Sequence, residues 1–383
     1  MSPPQRFRVW GFLVENSLLL VAGTLTGLIW ANVDHHSYDG FAHAIHFAVN
    51  DIGMVFFFAL ATKEIVEATL PGGPLESPRE AGVPLLAAVG GMLVPALIYS
   101  GQAWAEGRPE IVRGWAIPCA TDIAFSYMAA KLIFPRHHPA IPFLLLLAIA
   151  DDAMGLILLA LFYPSGPMSP ASFAVLMTPA LVAAFWFKRR RVMNFWAYVV
   201  VAGGLSWAGL YYGGIHPALA LVPVVPFMPH AKRDLGLFAE REDHQPDTMN
   251  RFEHWWKVPV QFVLFFFGFA NAGVQLSAVG PVTWMVLTGL LVGKPIGILT
   301  MTFLGELVGL RRPGGLSYLH VAVMGVAAGI GFTVALFFAT AAFPAGEVLD
   351  EAKMGALMSF VAAPIAIGFG RVVGLRPKVG AGQ

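Results

Sequence analysis

Uninterrupted apolar runs of about 20 residues recur along the whole chain. An α-helix rises about 1.5 Å per residue, so about 20 mainly apolar residues cross the ~30 Å hydrocarbon layer of a membrane. The pattern therefore predicts an all-α integral membrane protein with about twelve transmembrane helices in one membrane domain, residues 1–383. The runs begin near Leu13, Asp51, Ala81, Gly114, Ile141, Ala171, Val192, Gly214, Val258, Pro281, Val321 and Met354.

The polar segments between the runs predict the topology. Residues 230–253 form the only long hydrophilic stretch, which we expect to be a cytoplasmic connector, and DHHSYDGFAHAIHF (34–47) is expected to be a short first loop. No small-residue cleavage site clearly follows the first apolar run, so we expect a retained span rather than a signal peptide. Lys and Arg mark the cytoplasmic side, and they collect on one set of alternate loops, so both termini are predicted to be cytoplasmic. The opposite face holds only Arg108, Arg113 and Lys353.

Composition narrows the class of protein further. The chain is 57% hydrophobic and only 12% charged, whereas an ordinary soluble domain is about a quarter charged. The single cysteine, Cys119, excludes an intramolecular disulfide and any multi-cysteine metal site. The net charge of +1 gives no indication of nucleic-acid binding.

Two adjacent acids, Asp151 and Asp152, lie in the middle of the fifth apolar run, IPFLLLLAIADDAMGLILLALFY. A charged side chain at the bilayer centre costs about 2.5–3.5 kcal/mol even on a lenient scale. Consecutive helix positions are about 100° apart, so one carboxylate can face a cation pathway while the other faces a different partner. Carboxylate oxygens suit a hard cation such as sodium, and protons compete for the same oxygens. The structural alternative is a pair of acids that cap a broken helix.

The fourth and eleventh runs contain residues that favour interrupted helices. In GWAIPCATDIAF, Pro118 lacks an N–H donor and Thr121–Asp122 follow within a turn, which indicates a helix broken at mid-membrane. The alternative is a proline kink beside a solvated Asp122. The eleventh run is rich in small residues, which favours either tight helix packing or a second broken helix. Its small and polar positions are Gly329, Gly331 and Thr333.

A lysine, Lys294, lies deep inside the tenth run, in GLLVGKPIGI. A lysine there must be neutral, reach the interface or be paired. We expect a salt bridge to Asp151, with Asp122 as the next candidate. Because a buried ion pair adds little stability, the pattern indicates a functional charge.

Seven sequence strings, in order, together resemble the NhaA-type sodium/proton antiporters over about residues 10–375. The most specific combination is ATDIAF with a double aspartate in the next span. That family is one of the known examples of transporters with inverted repeats and discontinuous helices. The resemblance implies inverted repeats at 81–163 and 281–371, with the fourth and eleventh helices discontinuous and crossing near the midplane. The strings are GWAIPCATDIAF, AIADDAMG, GGIHPALA, EHWWKVPV, FFGFANAGV, GLLVGKPIG and AAGIGFTVALFFA.

The resemblance also implies roles for the intramembrane polar residues. Asp152 would be the principal sodium ligand and proton carrier, and Asp151 would be the second essential acid, paired with Lys294. Asp122 and Lys294 would offset the half-helix dipoles at the crossing, where Thr121 would contribute. Pro118, Gly329, Gly331 and Thr333 would lie at the same crossing.

Four residues match positions or a segment that the family links to pH response: His216, Glu253, Glu64 and Glu67. For His216 the alternative is a hydrogen-bonded residue at a helix start. Where the family reads GLEVKRE, this chain reads ATKEIVE (61–67), so Lys63 replaces an expected acid. The first loop is too short for the family's dimerising β-hairpin, which leaves a homodimer through helices as the open possibility.

The function implied by the resemblance is electrogenic secondary transport, not enzymatic catalysis. Cytoplasmic sodium or lithium would be exchanged for external protons across the bacterial inner membrane, in pH and sodium homeostasis. The expected partners are these ions and the lipid bilayer, with no cofactor and no nucleic acid. A sodium-coupled symporter of an organic anion would need more polar contacts than these spans offer. An intramembrane aspartyl enzyme would need acids on facing helices. A non-transporting pH-sensing homologue is favoured only by the region around Lys63.

Overall fold

The computed structural model describes residues 17–75, 78–135, 137–230 and 247–375, and every regular element in these ranges is helical. The predicted all-α class is confirmed. The α-helices are α1 (Leu18–Val33), α2 (His35–His46), α3 (Met54–Ala68), α4 (Pro78–Ala105), α5 (Ile123–Ile133), α6 (Ala140–Phe162), α7 (Pro170–Arg189), α8 (Gly204–Gly213), α9 (Thr248–Ala272), α10 (Pro281–Thr288), α11 (Lys294–Leu307), α12 (Tyr318–Ala328), α13 (Phe332–Ala342), α14 (Glu347–Met358) and α15 (Ala362–Val372).

Within the described ranges, six helical stretches are long and apolar enough to cross a membrane. Two further pairs of helices meet the same requirement together but are bent at a short break. The 3₁₀ helix Pro109–Cys119 meets α5 at 51°, and α12 meets α13 at 52°. The six continuous stretches are His35–Ala68, Ala81–Ala105, Ala140–Phe162, Pro170–Arg189, Pro281–Leu307 and Glu347–Val372.

The prediction of a short first loop is wrong. Most of that segment is α2, which continues into the second apolar run, so this helical stretch begins at His35 and not near Asp51. Asp34 caps α2 by accepting a hydrogen bond from the Ser37 N–H at 3.1 Å. Tyr38, which is buried, donates to the Phe269 carbonyl at 2.7 Å. A cap and a buried anchor together stabilise a helix whose composition is only weakly apolar.

The apolar run that begins near Gly214 also differs from a regular span. It forms two short 3₁₀ helices, Pro217–Leu219 and Val225–Phe227, joined by turns. Proline lacks a backbone donor and obstructs the preceding turn, and Pro217, Pro223 and Pro226 recur too closely for an α-helix to propagate.

Part of the predicted topology rests on residues outside the described ranges. Most of the connector, residues 231–246, lies outside them, as does the beginning of the first apolar run. Basic residues of the expected cytoplasmic face that also lie outside them are Arg6, Arg8, Arg136, Lys232, Arg233, Arg241, Arg376 and Lys378.

Among the residues that the structure describes, three π-helical segments interrupt the α-helical hydrogen bonding: Phe47–Gly53, Ala197–Gly203 and Gly289–Gly293. The last of these joins α10 to α11 and ends immediately before Lys294. Short π segments occur frequently at functional sites because they rotate the following helix relative to the preceding one.

The chain divides into two compact units, each made of two stretches. The first unit contains residues 1–76 and 156–273. There, α1 packs directly on α9. The two backbones are so close that a Cβ on Gly23 would lie 1.9 Å from the Phe265 carbonyl oxygen. Only glycine permits this close approach of two backbones.

The second unit contains residues 77–155 and 274–383. Its helices α4 and α11 meet at Gly90 and Gly297, where a Cβ on either glycine would lie about 2 Å from the other's carbonyl oxygen. Glu351 of α14 is buried and accepts a hydrogen bond from the Val282 N–H at 2.8 Å. This carboxylate therefore caps the start of α10, where the partial positive charge of the helix favours it.

Candidate functional site

The two helix breaks of the second unit contact each other. The Asp122 N–H donates to the Ile330 carbonyl at 2.7 Å, and the Ser126 hydroxyl donates to the Ala327 carbonyl at 3.0 Å. A broken helix leaves backbone groups without intrahelical partners, and in an apolar interior such groups must be paired. Each break therefore supplies partners for the other.

Glycine and proline let these two segments approach closely. A Cβ on Gly329 would lie 2.7 Å from the Leu290 carbonyl oxygen, and one on Gly331 would lie 3.0 Å from the Ala120 carbonyl oxygen. Pro118 is the penultimate residue of the 3₁₀ helix that precedes the break, and Gly289 packs against its ring. The backbone becomes extended only at Ala120, two residues later than the proline.

The Asp122 carboxylate lies at the N-termini of two helices. One oxygen accepts from the Phe125 N–H at 3.4 Å and caps α5. The other accepts from the Thr333 N–H at 3.3 Å and from the Thr333 hydroxyl, at the start of α13. Helix N-termini carry a partial positive charge. The negative charge of this buried carboxylate therefore faces the positive ends of two helix dipoles.

Lys294 lies at the C-terminal end of the 3₁₀ helix Pro109–Cys119, which forms the first half of a broken helix. Its side chain is completely buried, and the ammonium donates to the Cys119 carbonyl at 2.5 Å. Cys119 is the last residue of the 3₁₀ helix, where backbone carbonyls lack partners and carry a partial negative charge. The same ammonium lies 3.3 Å from one oxygen of Asp151.

That one oxygen of Asp151 forms the ion pair with Lys294 and also accepts a hydrogen bond from the Thr121 hydroxyl at 2.6 Å. Its other oxygen is buried and has no hydrogen-bond partner in the described part of the chain. Asp152 is the next residue of α6 and is partly exposed, whereas Asp151 is 3% exposed. The two carboxylates thus meet different surroundings, as their 100° separation requires.

The arrangement joins groups that can bind both a cation and protons. A buried carboxylate oxygen without a donor is suited to a proton or a hard cation, and a partly exposed carboxylate stands beside it. The ammonium of Lys294 stabilises the ionised form of Asp151, and loses that partner when the acid is protonated. Lys294 can therefore couple the binding of a cation to the binding of a proton at this carboxylate.

The residues predicted for pH response lie in the first unit. The Lys63 ammonium is buried and lies 2.5 Å from Glu67 and 2.6 Å from Glu253. Glu64 neighbours Lys63 on α3. The lysine that replaces an expected acid therefore bridges two carboxylates and ties α3 to α9. This contact between residues 190 positions apart could not be inferred from local sequence.

His216 of the first unit lies at the start of the 3₁₀ helix Pro217–Leu219. Its Nδ1 accepts a hydrogen bond from the Ala218 N–H at 3.3 Å. This is the geometry of a helix-capping residue, which was the structural alternative for His216.

Sequence reasoning missed three contributors to the site. The Cys119 carbonyl binds Lys294, the Ser126 hydroxyl links the two breaks, and the Ser359 hydroxyl accepts from the Gly331 N–H at 3.3 Å. A small hydroxyl residue in an apolar run was the available signal for the two serines. A backbone carbonyl has no sequence signal at all.

Comparisons with known proteins agree on one family. Residues 13–369 match the family profile described as Na+/H+ antiporter 1. A Geobacter metallireducens protein named Na(+)/H(+) antiporter NhaA is 46% identical over 373 residues, covering 95% of this chain and 97% of its own. A Desulfitobacterium hafniense protein of the same name is 46% identical over 375 residues, covering 95% of this chain and 96% of its own.

A solved structure supports the fold. The sodium proton antiporter MjNhaP1 from Methanocaldococcus jannaschii, at pH 8, aligns with 94% of this chain and 90% of its own at a TM-score of 0.53. The sequence identity is 17%, so this likeness concerns the fold alone. Because the family profile spans nearly the whole sequence and relatives exceed 40% identity over 95% of it, this chain belongs to the NhaA-type Na+/H+ antiporter family.

Proposed function

We propose that this chain exchanges sodium ions for protons across the bacterial inner membrane, with Asp151 and Asp152 as the exchanging groups. The observation that carries the proposal is the Asp151 carboxylate. It is buried at two contacting helix breaks, bonded on one oxygen by Lys294 and Thr121, and without a donor on the other within the described residues. Asp152 adjoins it with partial exposure.

Relatives support the same activity. The Geobacter metallireducens and Desulfitobacterium hafniense proteins are named Na(+)/H(+) antiporters, and this chain aligns with at least 96% of the length of each. The activity is secondary transport, so it needs ion gradients and no cofactor. Lithium, a smaller hard cation, is proposed as a second substrate.

The exchange follows from competition for carboxylate oxygens. Sodium entering from the cytoplasm binds Asp152, with Asp151 as the second acid, and displaces the protons that they hold. When the site opens to the outside, protons return to the carboxylates and sodium leaves. The Lys294 ammonium stabilises the ionised Asp151 while sodium is bound. If both acids exchange protons, more than one proton moves per sodium ion, and the cycle is electrogenic.

The proposed architecture has about twelve spans and both termini in the cytoplasm. The inverted repeats are 81–163 and 281–371, and nearly all of their residues belong to the second unit. Their broken helices are proposed to cross near the midplane, where Asp122 offsets helix N-termini and Lys294 offsets a C-terminal end. The bends of 51° and 52° and the hydrogen bonds between the breaks support this crossing. Alternating access then requires one bundle to move relative to the other.

The roles of the remaining polar residues follow from their contacts. Thr121 orients Asp151, and Thr333 orients Asp122. Gly329 and Gly331 permit the close approach of the breaks. A pH response is proposed for His216 and for three carboxylates around Lys63. These carboxylates are Glu64, Glu67 and Glu253.

The test is sodium-dependent proton movement in proteoliposomes. Purified protein is reconstituted with a proton gradient that a fluorescent dye reports, and sodium is added. We expect wild type to collapse the gradient, Asp152→Asn to abolish the response, and Asp39→Asn to leave it unchanged. Asp39 is an exposed acid on α2 and serves as the matched control.

Three outcomes would contradict the assignment. Normal exchange by folded Asp152→Asn would remove Asp152 from the mechanism. A wild type that moves no protons on addition of sodium or lithium, at any pH between about 6 and 9, would favour the non-transporting homologue. Uptake of a labelled organic anion in the same vesicles would instead favour the symporter.

A further inference from the structure

A single 3₁₀ turn, Ser359–Val361, joins α14 to α15 inside the helical stretch Glu347–Val372. Ser359 is completely buried, and its hydroxyl donates to the Ala356 carbonyl at 2.6 Å. The hydroxyl oxygen also accepts from the Gly331 N–H at 3.3 Å, in the break between α12 and α13. A short 3₁₀ stretch inside an α-helix often marks a functional position. Here the turn places a hydroxyl on a helix break that belongs to another span.

The peptide unit between Ile330 and Gly331 is bonded on both sides. Its N–H donates to Ser359, and its carbonyl accepts from the Asp122 N–H at 2.7 Å. This peptide is trans, and a trans peptide is planar, so its N–H and C=O point in opposite directions and cannot rotate independently. The bond to Ser359 on one side therefore fixes the direction of the carbonyl that binds Asp122 on the other side.

The Asp122 N–H belongs to the peptide that joins Asp122 to Thr121. The Thr121 hydroxyl donates to the Asp151 carboxylate at 2.6 Å. A shift of the carbonyl that binds the Asp122 N–H would move this peptide, and the Thr121 side chain would move with it. The same break also supplies the N–H and the hydroxyl of Thr333 to the Asp122 carboxylate. The orientation of one peptide in this break therefore affects the donors of both buried acids.

Three phenylalanine rings pack the 3₁₀ turn against both helix breaks. Phe360, which follows Ser359, lies 4.6 Å from Phe332 and 4.9 Å from Phe125 between ring centroids. Phe332 begins α13 directly after one break, and Phe125 lies in the first turn of α5 directly after the other. Phe332 and Phe125 are both buried. These ring contacts keep the Ser359 hydroxyl beside the Gly331 N–H, because Ser359 and Phe360 are neighbours in the chain.

The alternative is a purely structural hydroxyl, which pairs the Gly331 N–H and has no effect on the acids. An unpaired N–H in an apolar interior is costly, so removal of the hydroxyl lowers stability under either interpretation. A positioning role predicts in addition a weaker affinity for the cation, because it connects the bond of Ser359 to Thr121. The two interpretations therefore differ in the sodium concentration that the protein requires.

We propose that Ser359 is a positioning residue for cation binding, which acts by orienting the Ile330–Gly331 peptide. That peptide keeps Thr121 aligned on Asp151. The proposal rests on the proposed antiport activity and adds the helical stretch Glu347–Val372 as a third element of its site. Ser359 binds no ion in this role, so its removal weakens cation binding without removing a ligand.

The first experiment measures proton flux in proteoliposomes against sodium concentration. We expect Ser359→Ala to raise the half-saturating sodium concentration by about two- to tenfold, the range that the net loss of one hydrogen bond gives. The maximal rate should change less. Ser359→Cys carries a thiol, which is a weaker hydrogen-bond partner, so its value should be intermediate. It also decides the question if the alanine variant does not fold.

The matched control is Ser206→Ala. Ser206 is also completely buried, but it lies in the first unit, where its hydroxyl contacts the Met177 sulfur. The control should keep the wild-type half-saturating concentration. A purely structural hydroxyl at Ser359 would reduce the amount of folded protein, which lowers the maximal rate and leaves the half-saturating concentration unchanged. That result, or an equal rise in the control, would overturn the proposal.

The second experiment needs no transport. Amide hydrogen exchange is measured at one fixed pH for peptides covering 328–334 and 118–124. We expect Ser359→Ala to accelerate exchange in both segments, because the Asp122 N–H loses the fixed orientation of its acceptor. Acceleration confined to 328–334 would overturn the positioning role. Absence of flux in the wild type would instead count against the proposed antiport, and hydrogen exchange would then decide on Ser359, as it would for a folded variant without flux.

Discussion

Removing the charge of Lys294 is the perturbation with the clearest energetic consequence. Its ammonium lies 3.3 Å from the Asp151 carboxylate, and neither side chain is exposed by more than 1%. At an effective dielectric constant of about 20 the attraction at this distance is about 5 kcal/mol, and it offsets the cost of burying two charges. Lys294→Met leaves Asp151 buried without its cation, which typically costs about 3–5 kcal/mol.

We expect Lys294→Met to lower the Tm in detergent by at least about 6 °C, at roughly 2 °C per kcal/mol for a large domain. Asp151→Asn keeps an acceptor for Thr121 and alone leaves the lysine without its carboxylate, bonded only to the Cys119 carbonyl. The double variant removes both charges, so it should recover at least half of the loss. Its sodium-dependent proton flux should remain absent, because stability and transport require the pair for different reasons.

Tryptophan fluorescence reports the unfolding, and Lys257→Met is the control, since Lys257 is exposed on α9. If the losses of the two single variants simply add in the double variant, the charges do not interact and the reasoning is refuted. Recovery of transport by the double variant would refute the role of the pair in exchange.

Three further perturbations test separate contacts. Thr333→Val removes the hydroxyl donor of the buried Asp122 carboxylate, so we expect a loss of about 1.5–3 kcal/mol in denaturation. Glu351→Ala removes the cap of α10 and should cost about 1–2 kcal/mol, while a glutamine there should recover part of it by accepting the same N–H. Lys63→Met deprives Glu253 of its cation, so the Tm should fall, and part of this loss should be recovered when Glu253→Gln is combined with it. Losses that simply add in the double variant would count against this last ion pair.

The sequence was sufficient to predict the helical class and the unusual positions of the charges inside apolar runs. Asp151, Asp152 and Lys294 stand out because each interrupts a long apolar run, and membrane burial makes such residues costly. Pro118 and Gly329 likewise indicated helix breaks, since their backbone properties are local. These predictions depend on the charge of a side chain or on the backbone properties of a residue, which do not depend on its surroundings.

Partners between distant segments could not be predicted in the same way. The sequence offered Asp122 as a second partner for Lys294, but Asp122 binds Thr333, and Lys294 binds a backbone carbonyl. The helix α2 was missed because its stability depends on Tyr38 reaching a residue more than 200 positions away. Packing between segments that are distant in the sequence determines these contacts. The hydrophobic periodicity of a short stretch of sequence carries no information about such packing.

The π segment Gly289–Gly293 determines which way the lysine points. A π turn holds one more residue than an α turn, and each helical residue corresponds to about 100° of rotation. Deleting a single glycine there would restore ordinary α hydrogen bonding and turn Lys294 away from Asp151 by about a quarter of a revolution. Chain length at this point is thus as strictly constrained as residue identity, and a one-residue deletion would disable the protein while every charged side chain remained in it.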